Sequence, residues 1–146
     1  MTQTIHWLGA GLSSAPGIKK LAVGNTPLIV WNRTIEKAQR NLNDCLEHLT
    51  LKALSDDALS STIKKGDIVV SMLPATMHLK IAQLCLENNC HFVSSSYISP
   101  EMHALHDEAK ASGLSFVNEV GLDPGIDHLL AHALVDQYEN SEAFSP

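Results

Sequence analysis

The chain has 146 residues, the size of one ordinary domain, and 45% of them are hydrophobic against 18% charged, with a mean hydropathy near zero. That composition excludes an intrinsically disordered chain. Ten Lys and Arg against sixteen Asp and Glu leave a formal charge of −6, so the broad basic face that nucleic acid or anionic lipid requires is excluded and any phosphate contact must be local.

Candidate strands in chain order are 4–8, 28–32, a weaker 50–54, 67–73, 91–95 and 114–119. Several are continuous apolar runs, as in parallel strands covered on both faces. Between them the periodicity predicts helices over 15–23, 35–46, 57–63, 77–88 and 100–111, with a last one from Pro124 to Gln137. Thr34, Thr76 and Ser99 stand at N-cap positions, Pro16, Pro100 and Pro124 suit first turns, and Gly24, Gly66 and Gly113 stand where helices should stop. Strand and helix alternate throughout, which predicts an α/β fold built on a doubly wound parallel sheet in a single domain.

The turn after the first strand reads Gly9-Ala10-Gly11-Leu12-Ser13-Ser14-Ala15-Pro16. Gly9 allows a tight turn, and Gly11 lets the backbone approach a pyrophosphate at the positive end of the next helix. Ser14, with Ala15 beside it, replaces the third glycine of the usual fingerprint and is still small. A glycine turn can also be purely structural. Here its place between strand and helix, with a second strand at the expected distance, points to a dinucleotide held by Gly9, Gly11, Leu12 and Ser13.

The second strand ends Trp31-Asn32-Arg33-Thr34, with no carboxylate to bond a ribose 2′-hydroxyl. Arg33 instead offers a fork of donors for a 2′-phosphate, so NADP(H) is expected over NAD(H), with Asn32, Arg33 and Thr34 at the cofactor. A solvated surface arginine is the plainer alternative. After the fourth strand, Leu73, Pro74 and Thr76 should border the nicotinamide half, unless that turn only starts a helix.

With these segments in view, the chain resembles the N-terminal nucleotide-binding domain of the saccharopine dehydrogenase (saccharopine reductase) family, the L-glutamate-forming NADP enzymes of lysine metabolism. The resemblance rests on GAGLSSAP (9–16), NRTIEKA (32–38), DIVVSMLPATMH (67–78), SSSYISPEM (94–102) and VNEVGLDPGIDHLLA (117–131). The last two are specific, whereas NRT also occurs in shikimate dehydrogenases. It implies a Rossmann-like domain and a reaction in which an amino group and an aldehyde condense to an imine that NADPH reduces. It also implies that Ser96, Tyr97 and Asp123 line the substrate cleft. Asp123 could equally cap the helix expected from Pro124.

Family members continue into a substrate domain with a YCGGLP-like motif. The expected organisation is therefore a nucleotide-binding domain over 1–137, with 138–146 a tail or the start of a missing substrate domain. No catalytic residue is assigned. Two rival readings are a stand-alone NADP-binding or redox-sensing module and another NADP dehydrogenase.

Other constellations are set aside. His103 and His106, or His128 and His132, have helical spacing but no cysteine or HExxH partner, so no metal site is expected. His78 and the other histidines read as surface or helix-flank residues. Cys45, Cys85 and Cys90 form no CxxC pair, and their odd number closes no full disulfide set, which points to a reducing cytoplasm. Cys85 is expected on an inward helix face with Met77, Ile81 and Ala82. No signal peptide or membrane span is read. The expected partners are a small amino-acid substrate and, through the apolar stripe Ile126, Leu129, Leu130, Ala133 and Leu134, a second copy in a homodimer.

Overall fold

The computed structural model describes residues 3–137; the expected tail over 138–146 lies outside them. Six parallel strands form one sheet: β1 (Ile5–Leu8), β2 (Leu28–Asn32), β3 (Thr50–Ala53), β4 (Ile68–Ser71), β5 (His91–Ser94) and β6 (Phe116–Val117). Their order is β3-β2-β1-β4-β5-β6. The helices are α1 (Ala15–Ala22), α2 (Ile35–Asn41), α3 (Asp56–Thr62), α4 (Ala75–Glu87), α5 (Pro100–His103), α6 (His106–Ala111) and α7 (Ile126–Val135). Among the described residues, no helix is long and apolar enough to cross a membrane.

Two cores flank the sheet. On one face, Ile18 and Ala22 of α1 and Ala38 of α2 pack on Leu28 and Val30, joined by Leu42 and Cys45. On the other, Leu59 of α3, Ile81 and Cys85 of α4 and Met102 of α5 pack on Leu8, Trp31, Val69 and Phe92. The strands bury alternate residues toward the two layers, the burial that their apolar runs predict.

Several boundaries differ from the expectation. The second helix stops at Asn41, and a short 3-10 turn follows over Leu46–His48. Asn41, Asn43 and Asp44 are poor helix formers, and the side chain of Asn41 donates through Nδ2 to the Ala10 carbonyl at 2.8 Å. The stretch 100–111 is two helices rather than one; nothing in the local sequence marks the break. β6 is only two residues long. Ser99 caps α5 as expected, its hydroxyl accepting from the Met102 amide. Thr34 occupies the N-cap of α2 without a side-chain cap bond. Thr76 is not a cap: Pro74 is, and Thr76 lies in the first turn of α4.

The end of the chain needs a larger correction. Helix α7 starts at Ile126 with Gly125 as its N-cap, so Pro124 is not in its first turn and Asp123 does not cap it. The Asp123–Pro124 peptide is cis.

Two glycines set how closely layers approach. Gly9 has φ +97°, and a Cβ there would sit 2.9 Å from the Met72 carbonyl oxygen, where β4 leaves the sheet. At Gly17, α1 lies close against the sheet: a Cβ there would meet the Trp7 ring at 2.9 Å, while Ser14 and Ala15 are buried beside it.

A polar trio lies inside the apolar interior. The Trp31 indole, which can only donate, bonds His6 Nδ1 at 3.2 Å. His6 Nε2 therefore carries the proton and donates to Asp67 Oδ2 at 3.1 Å. Asp67 also accepts the amides of Thr4 and Lys64. Burial holds the His6 pKa below its ordinary 6.5, against the opposing pull of Asp67.

Two outcomes follow from these contacts. Gly9→Ala should lower stability by about 1–3 kcal/mol, because it combines positive φ with backbone overlap; unchanged thermal denaturation would refute the close approach. For His6, a depressed folded pKa means that the neutral ring stabilises the fold. That contribution is complete above about pH 6.5 and is lost as pH falls from there toward the folded value. Melts between about pH 7 and 5 should show this loss, and the slope should flatten in His6→Leu.

Candidate cofactor and substrate cleft

The sheet order reverses beside β1: its carboxyl end continues through Gly9 toward α1 on one face, while adjacent β4 leads into α4 on the other. Such switch points leave a crevice beyond the strand ends. Here it is a cleft of about 540 Å³ whose lining includes Gly9, Asn32, Arg33, Leu73, Pro74 and Met77. Five of the residues singled out in the sequence are thus brought together around one cavity.

The glycine turn is held from both sides. The Ala10 amide donates to Asn32 Oδ1 at 3.1 Å, and the Ala10 carbonyl accepts from Asn41. Asn32 Nδ2 donates in turn to the Thr34 carbonyl at 2.7 Å. The Asn32 amide therefore ties the end of β2 to the turn after β1. Among the described residues, no acceptor receives the amides of Gly11, Leu12 or Ser13, and a Cβ added at Gly11 would meet nothing within 4 Å. Free amides beside open space, at the start of α1, are the chemistry an anionic pyrophosphate fits.

Arg33 is exposed at the end of β2, and Thr34 and Thr76 are exposed beside the cleft without lining it. Asp56 is the acidic residue on the lining, and its carboxylate is paired with Lys80. Among the described residues no carboxylate pairs with Arg33, and a guanidinium on the rim suits a 2′-phosphate. Leu12, at 81% exposure, covers nothing in the core.

The three residues assigned to substrate lie together at the carboxyl ends of β5 and β6. Tyr97 Oη donates to Asp123 Oδ1 at 2.5 Å, and this bond pushes the Tyr97 pKa up to about 12. The Tyr97 ring meets the edge of His128. Ser96 is half-buried, and its carbonyl accepts the Glu119 amide. Beyond them a wider hollow of about 710 Å³ opens between Asn118–Gly121 and the exposed face of α7.

Sequence reasoning missed His78, which is no surface histidine: only 3% of it is exposed. Its Nδ1 and Nε2 lie 2.9 Å from Ser71 Oγ and Ser96 Oγ, respectively. On α4 it takes the inward position expected of Met77, which is 38% exposed and faces the cofactor cleft. The i, i+3, i+4, i+7 spacing of His78, Ile81, Ala82 and Cys85 carried that signal. Burial lowers the His78 pKa, so the ring is neutral. Burial also raises the thiol of Cys85, and pushes that of Cys90 up to about 11, which leaves both as unreactive thiols.

Comparison with known proteins agrees with this geometry. The family model described as the saccharopine dehydrogenase NADP binding domain matches residues 5–117. The chain is 34% identical over 139 residues to the saccharopine dehydrogenase [NADP(+), L-glutamate-forming] of Pyricularia oryzae, covering 93% of this chain and 31% of that protein. It is 31% identical over 133 residues to the mitochondrial alpha-aminoadipic semialdehyde synthase of Rattus norvegicus, covering 89% of this chain and 14% of the other. The apo saccharopine dehydrogenase (L-Glu forming) from Saccharomyces cerevisiae superposes with a TM-score of 0.81 at 32% identity, over 92% of this chain and 31% of that one. The chain thus spans less than a third of each of these proteins, and it belongs to the saccharopine dehydrogenase NADP binding domain family.

Proposed function

We propose that the chain is the NADP(H)-binding part of an oxidoreductase that reduces an imine formed from an amino acid and an amino-aldehyde, as in L-glutamate-forming saccharopine dehydrogenases. The observation that carries this reading is the cleft at the strand-order reversal, with Arg33 on its lining and free amides at the turn beside it. Amides of Gly11, Leu12 and Ser13 hold the pyrophosphate at the start of α1. Gly9 keeps the turn close to β4, and Asn32 holds it in register with β2. Arg33 and Thr34 take the adenosine 2′-phosphate, while Leu73, Pro74 and Thr76 border the nicotinamide. The cofactor, when bound, supplies the hydride.

Ser96, Tyr97 and Asp123 contact the substrate in this reading. Asp123 is already oriented by the Tyr97 hydroxyl and presents a carboxylate suited to a substrate ammonium. The domain extends over 1–137, and a substrate domain belonging to a longer protein would close the cleft from the side of α7. A cytoplasmic setting is supported by three buried, free cysteines.

Two measurements test the proposal. Arg33→Ala should weaken NADPH binding by about 1.5–3 kcal/mol, as expected for hydrogen bonds to a charged group, and leave NADH binding nearly unchanged. Equal losses would refute the 2′-phosphate role. NADPH at 100 times its Kd should stabilise the parent chain by about 2.7 kcal/mol. The exposed side chains Leu122, Ile126, Leu129 and Leu130 form an apolar surface that favours self-association. Light scattering should therefore report a dimer, and a monomer at high concentration would remove that part of the reading.

A further inference from the structure

Ser71, His78 and Ser96 form a chain of hydrogen bonds whose direction follows from chemistry. Ser71 is fully buried on β4, and among the described residues its hydroxyl has one side-chain partner, His78 Nδ1. A buried hydroxyl proton without an acceptor is costly. If Nδ1 carried the ring proton, Ser71 would accept that bond and its own proton would point at nothing. Ser71 therefore donates to Nδ1. The neutral ring must then carry its proton on Nε2, which donates to Ser96 Oγ. With its oxygen accepting from His78, Ser96 keeps a hydroxyl proton that no described group receives.

We propose that Ser71 and His78 are positioning residues that orient Ser96 as a one-way hydrogen-bond donor toward a substrate oxygen at the carboxyl edge of the sheet. The acceptor of highest affinity for such a donor is a carboxylate. With Asp123 nearby to receive an ammonium, the pair suits the two ends of an α-amino acid. The direction of the relay stands on the buried contacts alone; the identity of the acceptor rests on the function proposed above.

The test uses the full chain labelled with 15N-histidine, with the His78 signals assigned by their loss in His78→Gln. Long-range proton–nitrogen correlation at about pH 8, where even an ordinary histidine is neutral, should show Nε2 protonated and Nδ1 bare. A neutral ring protonated at Nδ1 overturns the relay. L-Glutamate is then titrated into the NADPH-saturated chain. In the double variant Ser71→Ala/His78→Leu, both buried polar partners are replaced by apolar groups, so the fold should keep its melting temperature while L-glutamate affinity falls at least about threefold. Unchanged affinity, or no response of the parent chain to L-glutamate while NADPH still binds, overturns the positioning role. Absence of NADPH stabilisation in the parent chain overturns the cofactor reading instead, and the tautomer measurement decides the relay without it.

Discussion

Parallel pairing is the constraint on which the rest of this structure depends. Each strand must be reached by a crossover, and β1, in the centre, is paired to β2 on one side and β4 on the other. Successive crossovers keep one hand, so building outward in both directions from β1 sends α1 and α2 to one face and α3 to α5 to the other. At the reversal no helix covers the strand ends. Gly9 and the Met72 carbonyl approach there to a distance that only a missing Cβ allows, and the cleft is the space left above them.

Burial of polar groups adds direction to this frame. Two histidines are withdrawn from water, and in each a neighbour that donates decides which nitrogen holds the proton. Trp31 does so for His6, passing the hydrogen bond to Asp67 near the start of β4; Ser71 does so for His78, passing it to Ser96 at the end of β5. Desolvation keeps both rings neutral near pH 7. A neutral imidazole with one donor and one acceptor is polar in a fixed sense.

Much of the fold was legible because it depends on local patterns. Apolar runs, glycine turns and N-terminal helix signals all lie within a few residues of what they predict, and the turn at Gly9 was readable for the same reason. Thr76 and Asp123 were misjudged as caps because a capping residue type is necessary but not sufficient. Pro74 begins the helix two residues earlier in one case, and in the other Gly125 is the N-cap of α7. The side-chain amide of Asn32 also joins Ala10 to Thr34, residues separated along the chain by α1 and β2, a link that no local pattern announces.

By itself the sequence determined the alternation of strands and helices, the glycine turn after β1, the basic residue at the end of β2 and the family resemblance. Each of these is written in consecutive residues whose propensities act over one or two turns of chain. Only the tertiary structure decided that His78 lies between Ser71 and Ser96, that Tyr97 holds Asp123, and that Gly17 admits the Trp7 ring. Those pairings join residues from different elements, and the contact between any two depends on the sheet register and on the depth at which each helix packs. Spacing along the chain carries no record of either.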